Sequence, residues 1–240
     1  MEPMFANVAA PGDKSGLSLS LSKADVSAQI NFATPFWPLV HNIPALYSQL
    51  LGGLRNFGIS SSAIRTDAGD GTLGAYNVSF WLNPKSWVRI RLESAEFQCR
   101  RLMRGELDTQ ESAFLGLTTA LRTAYPELRF AGYVITTNLQ GTLKGVKVVD
   151  FISTLVQRPS EDLGPFLGSG CVFYFGARGP ITLTTVTLDL ATGGAEGILV
   201  RLHCVVDGTS VDPADLRRVV EPQRDIALNS LGINLELPPR

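Results

Sequence analysis

Hydrophobic and polar positions alternate with a period of two through several stretches, most clearly from Ala75 to Cys99. Tyr76, Val78, Phe80 and Leu82 alternate with Asn77, Ser79, Trp81 and Asn83. After Pro84 and Lys85, Val88, Ile90 and Leu92 alternate with Arg89, Arg91 and Glu93. One wet side at period two is the mark of a half-buried antiparallel strand. Asn83-Pro84-Lys85-Ser86 supplies turn chemistry between the two runs, so the pair reads as a hairpin. A similar pair recurs between Ile181 and Val206.

The other elements follow in order. Residues 1–23, with Pro3, Pro11, Gly12, Gly16 and serines at 18, 20 and 22, read as a flexible N-terminal arm. Its Leu17, Leu19 and Leu21 alternate with serine, the pattern of a strand that pairs once a partner supplies an edge. Val26 to Phe36 alternates as a strand and is stopped by Pro35 and Pro38. Asn42 and Pro44 open a helix carrying Leu46, Leu50, Leu54 and Phe57, weakened by Gly52-Gly53 and closed by Gly58. A short strand is expected within Ile59–Thr66, and Asp67 to Gly71 reads as a turn. Asp108-Thr109-Gln110-Glu111 is a capping box before Phe114, Leu117, Leu121 and Tyr125, the stripe of a second helix.

The order then restarts. Arg129–Leu139 reads as a strand, Val148 to Val156 as a helix, and residues 159–170 as a loop. The continuous apolar run Cys171–Phe175 reads as a buried strand. Ile181–Leu190 shifts phase at Thr184-Thr185, which predicts a β-bulge. Ile198, Val200, Leu202, Cys204 and Val206 form one strand face. Asp212-Pro213 opens a last helix that Pro222 is expected to kink or split.

The fold class predicted is α+β, with two tandem strand–helix–strands–helix units and mainly antiparallel sheets. The first unit covers 24–127 and the second 128–240, an internal duplication packed as one domain. Phe32, Leu50, Leu54, Phe80, Ile90, Leu117, Leu121, Ile152, Leu188, Val200, Leu202 and Val220 form the expected core. The outline resembles that of sporadically distributed, uncharacterised bacterial proteins of similar length. These too run from an apolar N-terminal strand through two strand–helix rounds to a C-terminal helix. The resemblance implies neither an activity nor functional residues.

Composition narrows the chemistry. The 240 residues are 45% hydrophobic and only 18% charged, which places much surface in a core or an interface. A net charge of −1 gives a polyanion no general attraction, so nucleic acid is not expected as a partner. No run of about 20 apolar residues occurs, so no membrane partner is expected. Met1–Lys23 lacks a basic, apolar leader pattern, and cytoplasmic residence is the default expectation.

The three cysteines lack pair spacing and read as small buried hydrophobes. With only two histidines and no CxxC, no metal, cofactor or catalytic residue is expected. His203 and Cys204 are neighbours in a strand and point to opposite faces, so they make no nucleophile–base pair. The Asp67–Gly71 segment lacks calcium-loop spacing. The glycines of 164–170 precede a strand rather than a helix, so they form no phosphate cradle.

One concentration stands out. Trp81, Trp87, Arg89 and Arg91 share the wet side of the hairpin, with Arg100, Arg101 and Arg104 just beyond. Aromatic and arginine side chains together are favoured at protein interfaces, and an uncovered aromatic patch marks a contact surface. The reading is therefore a non-enzymatic binding or assembly protein acting through protein–protein contacts, with another copy or another chain as partner. The alternative is a small-ligand-binding protein or cofactor-independent enzyme with a cavity between sheet and helices.

Overall fold

The computed structural model describes residues 16–55, 59, 61–67, 72–102, 107–155, 170–191 and 197–236. The protein is α+β. One ten-stranded, mainly antiparallel sheet carries its helices on a single side. The first unit consists of β1 (Leu17–Phe32), α1 (Pro38–His41), α2 (Ile43–Gly53), β2 (Ile64–Asp67), β3 (Asn77–Asn83), β4 (Ser86–Arg91), β5 (Ser94–Cys99) and α3 (Leu107–Ala124). The second consists of β6 (Phe130–Leu143), α4 (Val148–Leu155), β7 (Cys171–Phe175), β8 (Ile181–Leu190), β9 (Gly197–Asp207), α5 (Leu216–Ser230) and β10 (Ile233–Glu236). Both units thus repeat strand, helix, strands, helix. The sheet order is β2-β3-β4-β5-β1-β6-β9-β8-β7, and β1 against β6 is the antiparallel seam that joins the units.

Strict alternation explains the sidedness. Val78, Phe80, Val88, Ile90, Ala95 and Phe97 are buried on the helix side of the first unit, as are Val186, Leu188, Val200 and Leu202 in the second. Leu46, Leu50 and Leu54 of the α2 segment and Leu117 and Leu121 of α3 close over the first group. Val148, Phe151 and Ile152 of α4, with Ala227 and Leu228 of α5, close over the second. Of the expected core only Val220 is half-buried; the other eleven residues are buried.

Each unit also sets one buried polar cluster into its apolar layer. In the first, Ser86 Oγ and Cys99 Sγ donate to Gln110 Oε1 of α3 at 2.7 and 3.0 Å. In the second, Gln223 Nε2 of α5 donates to Thr184 Oγ1 at 3.1 Å, and Thr184 lies 4.0 Å from Cys204 Sγ. In both, the hydroxyl and thiol residues are direct cross-strand partners, Ser86 with Cys99 and Thr184 with Cys204.

Several expectations are corrected. Leu17–Lys23 is no flexible arm but the first half of β1, with Leu19 fully buried. Its edge partner is the chain's own β10, paired in parallel from Leu17↔Ile233 to Ser20↔Glu236. Residues 1–15 of the proposed arm lie outside the described residues. Cys171–Phe175 is not a buried strand: β7 is the last strand of the sheet, and Val172 and Tyr174 are 47% and 73% exposed. The β8 irregularity falls between Ile181 and Leu183, so Thr184 turns inward to meet Gln223. Pro222 lies inside α5 without splitting it, because Leu216 on one side and Ala227 and Leu228 on the other anchor the helix to the core. Gly53, read as a weak point of its helix, is needed where α2 meets α3: a methyl group there would collide with the Ala120 side chain. The expected Asn42 side-chain cap is not formed. Gly58, the Asp67–Gly71 turn beyond Asp67 and the side chains of Asp108 and Thr109 lie outside the described residues.

Candidate nucleic-acid interface

The strand side away from the helices carries the polar half of the alternation in β3, β4 and β5. On the β2–β5 end it forms a groove of about 220 Å³, lined by Arg65, Ser79, Trp81, Trp87, Arg89 and Arg100 among others. The hairpin sets its floor. Trp81 of β3 stands directly across from Trp87 of β4, and Ser79 across from Arg89. Arg65 of β2 pairs with Ser79 from the other side. A period of two therefore places three guanidiniums and two indoles on one side of four adjacent strands.

The two tryptophans differ in freedom. Trp87 is half-buried and fixed: its Nε1 donates to Gln98 Oε1 at 2.6 Å, and the Arg89 guanidinium lies 4.7 Å from its ring centroid. Arg100 Nε donates to the same Gln98 oxygen at 3.2 Å. Stacking on an indole holds a guanidinium flat and leaves its edge free to donate. Trp81 is 48% exposed and presents part of its indole to solvent. Arg89 Nε is buried without a hydrogen-bond partner. Among the described residues no carboxylate lies within ion-pair distance of Arg65, Arg89, Arg91 or Arg100. Glu96 is the cross-strand neighbour of Arg89, and Asp67 lies further along β2, so arginines outnumber acids here.

Of the four residues expected to form a contact surface, the structure brings Trp81, Trp87 and Arg89 together in the groove. Arg91 stands exposed one pair further along β4, opposite Asn77. Arg101 is exposed, with its backbone N–H held by Asp25 Oδ1 at 2.7 Å, and Arg104 lies outside the described residues. Sequence reasoning missed Arg65. Its strand is four residues long, and only its pairing with β3 brings it beside Ser79.

Elsewhere the reactive groups are quiet. Burial pushes the Cys204 thiol up, with an opposing pull from the Thr184 hydroxyl, and burial also raises Cys171. Tyr133 is pushed up to about 12, chiefly by burial, and donates to the Val211 carbonyl at 3.3 Å. All three are protonated at neutral pH, the wrong state for a nucleophile. His203 meets Thr136 Oγ1 at 3.1 Å through Nδ1, on the strand side opposite Cys204. Among the described residues no group of three His, Cys, Asp or Glu side chains gathers to hold a metal ion. Among them, too, no helix is long and apolar enough to cross a membrane.

No protein-family model matches the chain, and no curated protein does. Among solved structures, TBP of Methanococcus jannaschii is similar over 87% of this chain and 98% of its own, with 11% identity and a TM-score of 0.28. A rolling circle replication initiator protein from Geobacillus stearothermophilus is similar over 90% of this chain and 84% of its own, with 14% identity and a TM-score of 0.39. Against these two structures, the expectation of a protein–protein assembly module to which nucleic acid is foreign is corrected. In the first unit, Leu46, Leu50, Ile90, Leu117 and Leu121 occupy the layer between sheet and helices where the alternative expected a cavity. What the groove holds is a question for its own side chains.

Proposed function

We propose that the protein binds single-stranded nucleic acid in the groove of Trp81, Trp87 and the surrounding arginines. One observation carries this reading: a half-exposed indole lies beside an indole–guanidinium stack, with no ion-paired carboxylate among the described residues on any of the groove arginines. An unpaired base offers a π-face to Trp81, and its phosphates take the guanidiniums of Arg65, Arg89 and Arg100. A base inside a duplex offers no free face to that indole. The net charge of −1 is no objection, because phosphate contacts depend on the local cluster rather than on the sum over the chain. Catalysis plays no part in this reading.

Fluorescence anisotropy of a labelled oligothymidylate tests it. Binding should be tighter than to a duplex of equal length and should weaken as salt rises. Trp81→Ser should lose roughly 1–3 kcal/mol, the usual worth of one base–aromatic stack. Because Trp81 is exposed, its circular dichroism should be unchanged. Arg65→Ala and Arg89→Ala should each lower the salt slope by about 0.7. Equal binding by wild type and both kinds of variant, or no binding at low salt, removes the proposal.

The two units are further read as copies of one ancestral unit. The paired clusters Ser86–Cys99–Gln110 and Thr184–Cys204–Gln223 support this, since each puts a hydroxyl and a thiol on neighbouring strands under a helix glutamine. Ser86→Thr and Thr184→Ser should then each be tolerated. Failure of either variant to fold counts against common origin.

A further inference from the structure

The groove is one end of a longer track. The strand registers give a continuous row across the exposed side of the sheet. Trp81 faces Trp87, Trp87 faces Gln98, and Gln98 faces Ser27 of β1. The row crosses the seam from Ser27 to Thr136, then passes to His203 of β9, Thr185 of β8 and Tyr174 of β7. It spans eight strands, begins and ends on an exposed aromatic ring, and contains no carboxylate. Every residue between the rings is a hydrogen-bonding side chain or Trp87 itself. The lateral rows are mixed by comparison: Glu96 lies in one and Asp25 in another.

Resting on the single-strand reading above, we infer that the bound strand runs across the sheet, perpendicular to the β-strands, from Trp81 to Tyr174. Three features select a single-stranded polyanion as occupant. The row itself is free of acids, its ends are stacking platforms, and the uncommitted donors of Ser27, Thr185 and Gln98 can meet base edges or phosphates. Tyr174 is 73% exposed at the far edge, a position where its ring contributes nothing to the core and is free to take a base. Seven steps of about 4.8 Å set the rings roughly 33 Å apart. A strand stacked at about 3.4 Å per nucleotide covers that distance with about ten residues, and an extended strand with fewer.

The test is a length series of oligothymidylates, from three to fifteen residues, titrated into the full chain and three variants. With wild type, affinity should rise with length and level off at or below about ten residues. Tyr174→Ser should weaken the longest oligomers about tenfold and leave the trimer unchanged. Trp81→Ser should weaken every length. Ser27→Glu, which puts a carboxylate at mid-track, should also weaken long oligomers and spare the trimer. If Tyr174→Ser and Ser27→Glu bind all lengths as wild type does while Trp81→Ser is weakened, the track is wrong and the groove reading stands. If no length binds wild type, both fall.

Discussion

The β3–β4–β5 and β7–β8–β9 ends of the sheet are built on one plan and dressed differently. Both are antiparallel triplets capped by helices, and both sink a hydroxyl, a thiol and a glutamine into their apolar layer. Facing inward, the first buries Phe80 and Phe97 beside Val88 and Ile90, and the second packs Phe173 and Phe175 against Val186, Leu188 and Val200. Facing outward they part completely. The first shows two indoles and several guanidiniums; the second shows Thr185, Thr187 and a single exposed Tyr174, with Arg201 occupied by Asn138 at 2.8 Å. Alternation frees the outward residues from the packing that constrains the inward ones. One scaffold can therefore present different outward surfaces at its two ends.

The comparison can be broken most severely at the cores. Leu121→Ala in the first unit and Leu188→Ala in the second remove fully buried side chains and should each cost about 2–5 kcal/mol in urea unfolding. Because the seam binds the units into one sheet, each variant should still unfold in a single transition. Two resolved transitions would show that the ends are independent domains. The seam itself is the next target. A methyl group on Gly141 would meet the Ser20 carbonyl of the paired strand, which cannot step aside. Gly141→Ala should cost about 1–3 kcal/mol and lower both ends together.

The polar clusters sharpen the comparison at smaller scale. Gln110→Ala strands the fully buried Ser86 hydroxyl, whereas Gln223→Ala frees the Thr184 hydroxyl, which keeps Cys204 in reach. Each should cost about 1–3 kcal/mol, with Gln110 the larger. The smallest effect is at Asp212, which caps the turn into α5 and reaches Arg122 of α3 at 2.8 Å. The Ala214 backbone N–H first, and Arg122 after it, hold its carboxyl below the usual range. Its stabilising contribution is complete above the ordinary carboxylate value and is lost as pH falls through the lower folded value. Asp212→Asn should therefore lower stability slightly at pH 7 and flatten the acid limb, so that variant and wild type converge below about pH 4.

The sequence was most readable where one chain segment decides the outcome alone. Strict alternation through β3, β4 and β9 predicted which side of each strand is buried, and helical spacing did the same for α3. Reading failed where a partner distant in sequence decides. The run Cys171–Phe175 is apolar enough for a central strand, and only the strand order makes it an edge. Leu17–Lys23 looked like an arm because its partners, β6 and β10, come far later in the chain. The same limit hid Arg65. Trp81, Trp87, Arg89 and the neighbouring arginines were visible as a patch, and net charge, a sum over the whole chain, set nucleic acid aside as its partner.

The sixteen residues of β1 have a temporal consequence. Their neighbours are β5, β6 and β10, and Leu17 finds Ile233 only after almost the whole chain has been made. On the ribosome, then, the central strand emerges ahead of all three neighbours and stays without its seam partner until β6 follows, and part of one edge stays open until β10 arrives. Contacts of such long sequence separation form slowly, and an unpaired apolar strand invites other chains meanwhile. The alternating serines at 18, 20 and 22 make that waiting strand less adhesive than an all-apolar one.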